Sequence, residues 1–190
     1  MMAVEWAQGR TAEAANEARR AWERDTLSVV AGMFYAVNLY GARDYDDLEA
    51  FLPHLRSSAP ESEVRGMEGL LSLGRGDCVA AGPLLAQARK IEARMSLIPA
   101  LVCAGERERA RERLDSLLAE RRARYVPASI VAMAYYSLGD KDRAFEWLER
   151  AHDERDAFAF FLLTAPYFDL LRGDARFEAL LRRIRLPPRS

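Results

Sequence analysis

Along most of the chain apolar residues recur at spacings of three and four, the period of a helix with one buried face. The pattern is clearest from Ala128 to Ala151, ASIVAMAYYSLGDKDRAFEWLERA. Val131, Ala132, Tyr135 and Leu138 share one face of a first helix, and Ala144, Phe145, Leu148 and Ala151 one face of a second. Small residues, Ala132 on the first helix and Ala144 and Ala151 on the second, mark where the two would cross closely. Gly139 suits the left-handed residue that ends a helix. Asp140 suits the cap that starts the next. A hairpin of this kind cannot bury its apolar face alone and requires neighbours.

The neighbours emerge when the sequence is shifted against itself. Moving back 34 residues takes Gly139 to Gly105, Ala144 to Ala110, Tyr135 to Leu101 and Leu148 to Leu114; moving forward 34 takes Gly139–Asp140 to Gly173–Asp174. This register predicts an all-α superhelical solenoid of about five helical hairpins, over residues 1–24, 27–56, 62–89, 91–122 and 125–156, with a C-terminal cap over 157–186. The first unit holds only its second helix, Ala12–Arg24, capped by Thr11. The chain therefore reads as opening inside a repeat, as the tail of a longer protein would. Ser57–Glu63 reads as a polar linker, and Pro53 and Pro83 should kink or shorten the helices they occupy. Gly69 takes a small position and Gly76–Asp77 a turn. The fourth unit's first helix, about Ala93–Ala104, is expected to break at Pro99, and the charged helix Glu106–Arg122 follows. The aromatic-rich run Asp156–Thr164 should pack as a short helix over the last repeat. Pro166–Leu171 reads as a turn, and Ala175–Arg185 as a final helix that buries Phe177, Leu180, Leu181 and Ile184.

A small residue in mid-helix, an aromatic three positions on, Gly at the turn, then Ala, Leu and Ala down the second helix: in this pattern Tyr125–Asp156 resembles the tetratricopeptide repeat. The ending PYFDLLRGDARFEALLRRIRLP is similar to the tails of bacterial tetratricopeptide regions that follow adenylate cyclases, winged-helix regulators or Ser/Thr kinases. Ala165 stands where that pattern usually has Asp, and Asp174–Ala175 where it often has Asp-Pro. None of those catalytic domains lies in these residues. The resemblance implies a non-catalytic scaffold that binds a protein or peptide, or alternatively the regulatory tail of a larger signalling protein.

Composition narrows the classes further. Half of the residues are hydrophobic and 30% charged, which suits a folded chain rather than a disordered one. The net charge of −1 gives no general attraction to nucleic acid or anionic membrane, and neither is expected as a partner. Only Lys90 and Lys141 are lysines; the other basic residues are arginines interleaved with acids, which reads as codon usage rather than an anion-binding surface. Cys78 and Cys103 have no CxxC partner and read as separate buried thiols in a reducing compartment. With no basic and apolar leader in MMAVEWAQGR, the expected location is cytoplasmic. The uncharged stretch Thr26–Ala42 is at the lower limit for a membrane span and reads instead as a solenoid helix.

Catalytic chemistry finds no constellation. The chain has no phosphate loop, and Gly74, Gly76 and Gly82 lack dinucleotide spacing. His54 and His152 lie far apart, each toward the end of a second helix, and neither has metal-ligand company. No Ser or Cys has an evident base partner, and no carboxylate stands isolated in an apolar stretch. Arg75–Gly76–Asp77 and Arg172–Gly173–Asp174 spell an adhesion tripeptide but read as helix stop, turn and cap. No cofactor or metal is expected.

A surface remains. In tetratricopeptide folds the first helices line a concave groove, and the register carries Met33, Val37, Tyr40, Leu70, Leu73, Met95, Val102, Met133 and Tyr136 onto it. Methionine and aromatic side chains suit adaptable capture of a peptide. No Lys/Arg clamp for a terminal carboxylate is legible among them, so an apolar segment or partner helix is the expected ligand. The open N-terminal edge could pair with a second copy.

Overall fold

The computed structural model describes residues 10–88, 91–156, 171 and 173–183. These residues form helices and turns without strands: α1 Thr11–Arg24, α2 Val29–Ala42, α3 Tyr45–Ser58, α4 Glu61–Gly74, α5 Cys78–Ala86, α6 Ile91–Met95, α7 Leu97–Cys103, α8 Arg107–Ala123, α9 Ala128–Ser137, α10 Lys141–Asp153 and α11 Ala175–Arg183. Each helix packs on its successor along the stack. The first helices also touch from one hairpin to the next, α2 on α4, α4 on α6, and α7 on α9. The architecture is an all-α solenoid of hairpins. The opening residues 1–9, the short helix expected over 157–164 and the turn expected at 166–170 lie outside the described residues.

The turns show why this sequence stops and restarts where it does. Gly76, Gly105, Gly139 and Gly173 all have φ between +81° and +89°, the left-handed region that costs glycine little. After the turn, Asp44, Asp77 and Asp140 each accept from the backbone N–H three residues on, at 3.1–3.4 Å. Arg43 occupies the turn position of the second hairpin at φ 62° without being glycine. At Gly69 an added Cβ would stand 2.8 Å from Leu85 Cγ, so the small position allows α4 and α5 their close approach.

Several boundaries differ from the sequence reading. Thr11 is the first residue of α1 rather than its cap, and Arg10 at the cap makes no side-chain bond. The polar linker shrinks to Ala59–Pro60, because α3 runs on through Pro53 to Ser58. The break in the fourth unit falls at buried Ser96, not Pro99. Pro99 lies in the first turn of α7, where its missing N–H leaves no helical bond unmade. Thr26–Ala42 contains only the short α2, and no helix among the described residues is long and apolar enough to cross a membrane.

Two apolar clusters share the stack. One runs from Ala18 to Ala100 and includes Leu48, Leu55, Met67 and Leu85. The other runs from Met95 to Leu180 and includes Val131, Met133 and Leu148, with Leu171 and Phe177 from the C-terminal segment. Half-buried Leu97 packs against both. At the N-terminal end, Trp22 sits among Tyr35, Phe51 and His54, and its indole N–H donates to His54 Nε2 at 3.2 Å. His54 is therefore part of an aromatic cluster.

The interleaved charges tie hairpins to one another as well as pairing within helices. Arg56 meets Glu68, Arg75 meets Asp46 and Glu49, Arg121 meets Glu154, Arg176 meets Asp142, and Arg183 meets Glu149. Exposed pairs of this kind contribute about 0–1 kcal/mol each. They set the register of neighbouring hairpins more than the stability of the whole.

One buried carboxylate has a larger role. α9 begins after Pro127 with no local side-chain cap. Asp156, 3% exposed and 27 residues downstream, accepts from the Ser129 N–H at 2.9 Å. The last hairpin thus caps its own start from its end. Asp156→Ala is expected to cost about 2 kcal/mol, a lost cap combined with an orphaned buried N–H. Urea unfolding measures it, and Asp156→Asn, which keeps an acceptor, should lose less. A change in Asp156→Ala below about 0.5 kcal/mol would remove the capping role.

Candidate functional site

The nine residues expected to form one groove divide between the two clusters. Met33, Tyr40 and Leu70 are buried in the N-terminal cluster, and half-buried Val37 and Leu73 pack against it. Met95 and Met133 are buried in the C-terminal cluster, and half-buried Val102 and Tyr136 pack against that. Met33, Tyr40, Leu70, Met95 and Met133 are therefore core side chains, closed to an outside partner as the chain stands. The physical reason lies in the register. A helix buried on two faces shows the same three-and-four spacing as one with a core face and a groove face.

α9 demonstrates the closure most fully, since Ala128 through Tyr135 are all buried. Leu171, Phe177 and Leu180 join the cluster around it, so the C-terminal end of the row is filled by the chain's own residues. Burial pushes the Tyr136 phenol above its ordinary range, and the nearby Asp174 carboxylate adds to the shift. The phenol thus stays a neutral hydrogen-bonding group there.

The open apolar surface lies at the other end. Leu27 is 87% exposed, Val30 78% and Phe34 38%. Val30 and Phe34, four apart, share one face of α2 in a row continued by half-buried Val37, and Leu27 stands in the turn just before that helix. Of the expected groove only Val37 belongs to this row. The repeat register points Met33 and Tyr40 outward, whereas the structure buries both and exposes Val30 and Phe34. The signal was present in α2, which is apolar almost all round, but the pattern alone could not say which side the neighbours cover.

The two cysteines also depart from expectation. Cys78 opens α5 and Cys103 closes α7, and they form a disulfide with Cα atoms 5.6 Å apart. They are neither separate thiols nor both buried: Cys78 is enclosed and Cys103 exposed. Among the described residues no three His, Cys, Asp or Glu side chains gather as a metal site.

The fold defines a class, an all-α stack of helical hairpins, with exposed apolar residues gathered at the start of α2. No family model, curated protein or solved structure matches the chain.

Proposed function

We propose that the chain is a non-catalytic interaction scaffold that receives an apolar segment of a protein partner on the outward row of α2. One observation carries this reading: Leu27, Val30 and Phe34 stand exposed together around the start of α2, whereas Val79 and Tyr125, the other exposed large hydrophobics among the described residues, lie singly on other segments. The resemblance to tetratricopeptide repeats supports it by analogy of architecture. The seat is the Leu27–Phe34 row and not the Met33–Tyr136 set, most of which is occupied by packing.

A cytoplasmic location requires the Cys78–Cys103 bond to form only on oxidation, because cytosolic thiols are kept reduced. An oxidising compartment would hold the bond permanently.

The test places a photo-crosslinking amino acid at Val30, with a control at Glu112 on the charged, exposed side of α8. A partner captured from Val30, absent from Glu112 and lost when Phe34→Glu is added supports the row as the seat. Capture of the chain's own copy through Val30 assigns the row to self-association at the N-terminal edge. Equal capture at both positions overturns the proposal.

A further inference from the structure

A small cavity of about 80 Å³ opens where α6, α7, the end of α8 and the start of α9 converge. Met95, Ile98, Leu117, Val126 and Ile130 make its apolar floor. Arg94, Arg113, Glu120, Arg124 and Tyr125 stand around it. Arg94 Nη2 lies 3.5 Å from Glu120 Oε2, and Arg124 pairs with the other oxygen of the same carboxylate. Among the described residues Arg113 forms no ion pair; it is half-buried on the inner side of α8. Arg94 and Arg124 share the Glu120 carboxylate, Glu154 beside the rim is matched by Arg121, and Asp156 is held by the Ser129 N–H, which leaves the Arg113 guanidinium unmatched beside an apolar floor.

The unmatched Arg113 separates this cavity from a second surface depression, along α4. There Arg56 is matched by Glu68 and Arg65 by Glu61, so no charge is left for a ligand. The arginine-rich composition, read from the sequence as unbiased between acids and bases, is locally biased here. Size restricts the ligand as strongly as charge. A cavity of roughly 150 Å³ accepts benzene, so about half that volume admits a few carbon atoms and no nucleotide or ring system.

We propose that this cavity binds a carboxylate carrying a short branched aliphatic tail, with the head on the arginines and the tail on Met95, Ile98 and Leu117. A guanidinium fork matches the two oxygens of a carboxylate. The tail covers floor that water now meets. Burial and the nearby Asp156 and Glu154 carboxylates raise the Tyr125 phenol, which therefore keeps its O–H as a donor at the rim. Such a group is offered both by the C-terminal leucine of a peptide and by a free branched-chain acid. The site shares no residue with the α2 row, so either proposal can fail while the other stands.

The experiment is an amide NMR titration of the full chain. The probes are 4-methylpentanoate, 4-methylpentanamide, inorganic phosphate, and acetyl-Gly-Gly-Leu with a free or an amidated end. The acid is expected to shift the Met95, Ile98, Tyr125 and Val126 amides saturably, with the amide and phosphate at least tenfold weaker. Arg113→Gln should weaken the acid tenfold or more while the circular dichroism stays unchanged. Arg124→Gln, at an exposed position, serves if Arg113→Gln does not fold. Binding of the free-ended peptide alongside the acid identifies a peptide terminus as the source, and binding of the acid alone identifies a small metabolite; both support the site. Equal binding of acid and amide, phosphate matching the acid, shifts confined to other helices, or no effect of either variant would overturn it.

Discussion

Met133→Glu is expected to abolish cooperative folding of the C-terminal hairpins. The Met133 side chain is fully buried, on a helix whose neighbouring positions from Ala128 to Tyr135 are buried too. A carboxylate placed there would lose its water and meet no cation or donor built for it. The penalty for an ion so enclosed is several kcal/mol after relaxation, to which lost packing adds. Whole domains are stable by only about 5–15 kcal/mol, so the substitution consumes much of what holds the fold. Thermal unfolding followed by circular dichroism should show the transition broadened or absent. Tyr136→Glu, at a half-buried position, should keep a cooperative transition with a smaller loss of about 1–3 kcal/mol. If instead Met133→Glu melts within about 1 kcal/mol of the parent chain, Met133 faces a groove as the repeat register implied, and the closed row is wrong. Exposed positions such as Val30 and Phe34 are consequently the ones at which to probe a partner surface.

Loss of the Cys78–Cys103 disulfide has the second-largest expected effect. The bond closes a loop with a sequence separation of 25 residues. On the chain-entropy model a loop of this length removes about 3.5 kcal/mol of freedom from the unfolded state. For a chain of this size that corresponds to a fall in melting temperature of roughly 7–14 °C. Dithiothreitol should reach the bond through Cys103, which is exposed. The Cys78→Ser, Cys103→Ser double variant should melt at the temperature of the reduced chain. The loss should be local as well as global. α5 is only nine residues long and contains Pro83, so α5 and α7 should lose amide protection before α9 and α10 do. Two free thiols counted in unreduced, denatured protein, together with no shift in melting on reduction, would show that the bond does not form.

Much of the architecture was legible in the sequence because it depends on local chemistry. Glycine at four turns, aspartate after three of them and apolar spacing of three and four are properties of short segments. Each acts through backbone conformation that the neighbouring residues alone define. The strong α9–α10 hairpin, the close α4–α5 approach at Gly69 and the contraction between the third and fourth units could be read from these signals. Arg43 shows their limit, since a turn held by its neighbours imposes a left-handed conformation on a residue that does not favour it.

What the tertiary structure decided concerns which faces meet. Met33 and Val30 are both apolar residues of α2, and only the placement of α1, α3 and α4 makes one core and the other surface. Asp156 caps α9 from 27 residues away, and Cys78 reaches Cys103 across two helices. Arg94 and Arg124 meet on Glu120, and with Arg113 they line one apolar cavity. These relations depend on distance in space, and no local pattern encodes them. Hairpins follow from residues three and four apart, whereas the open row, the bond and the cavity exist only once the hairpins are stacked.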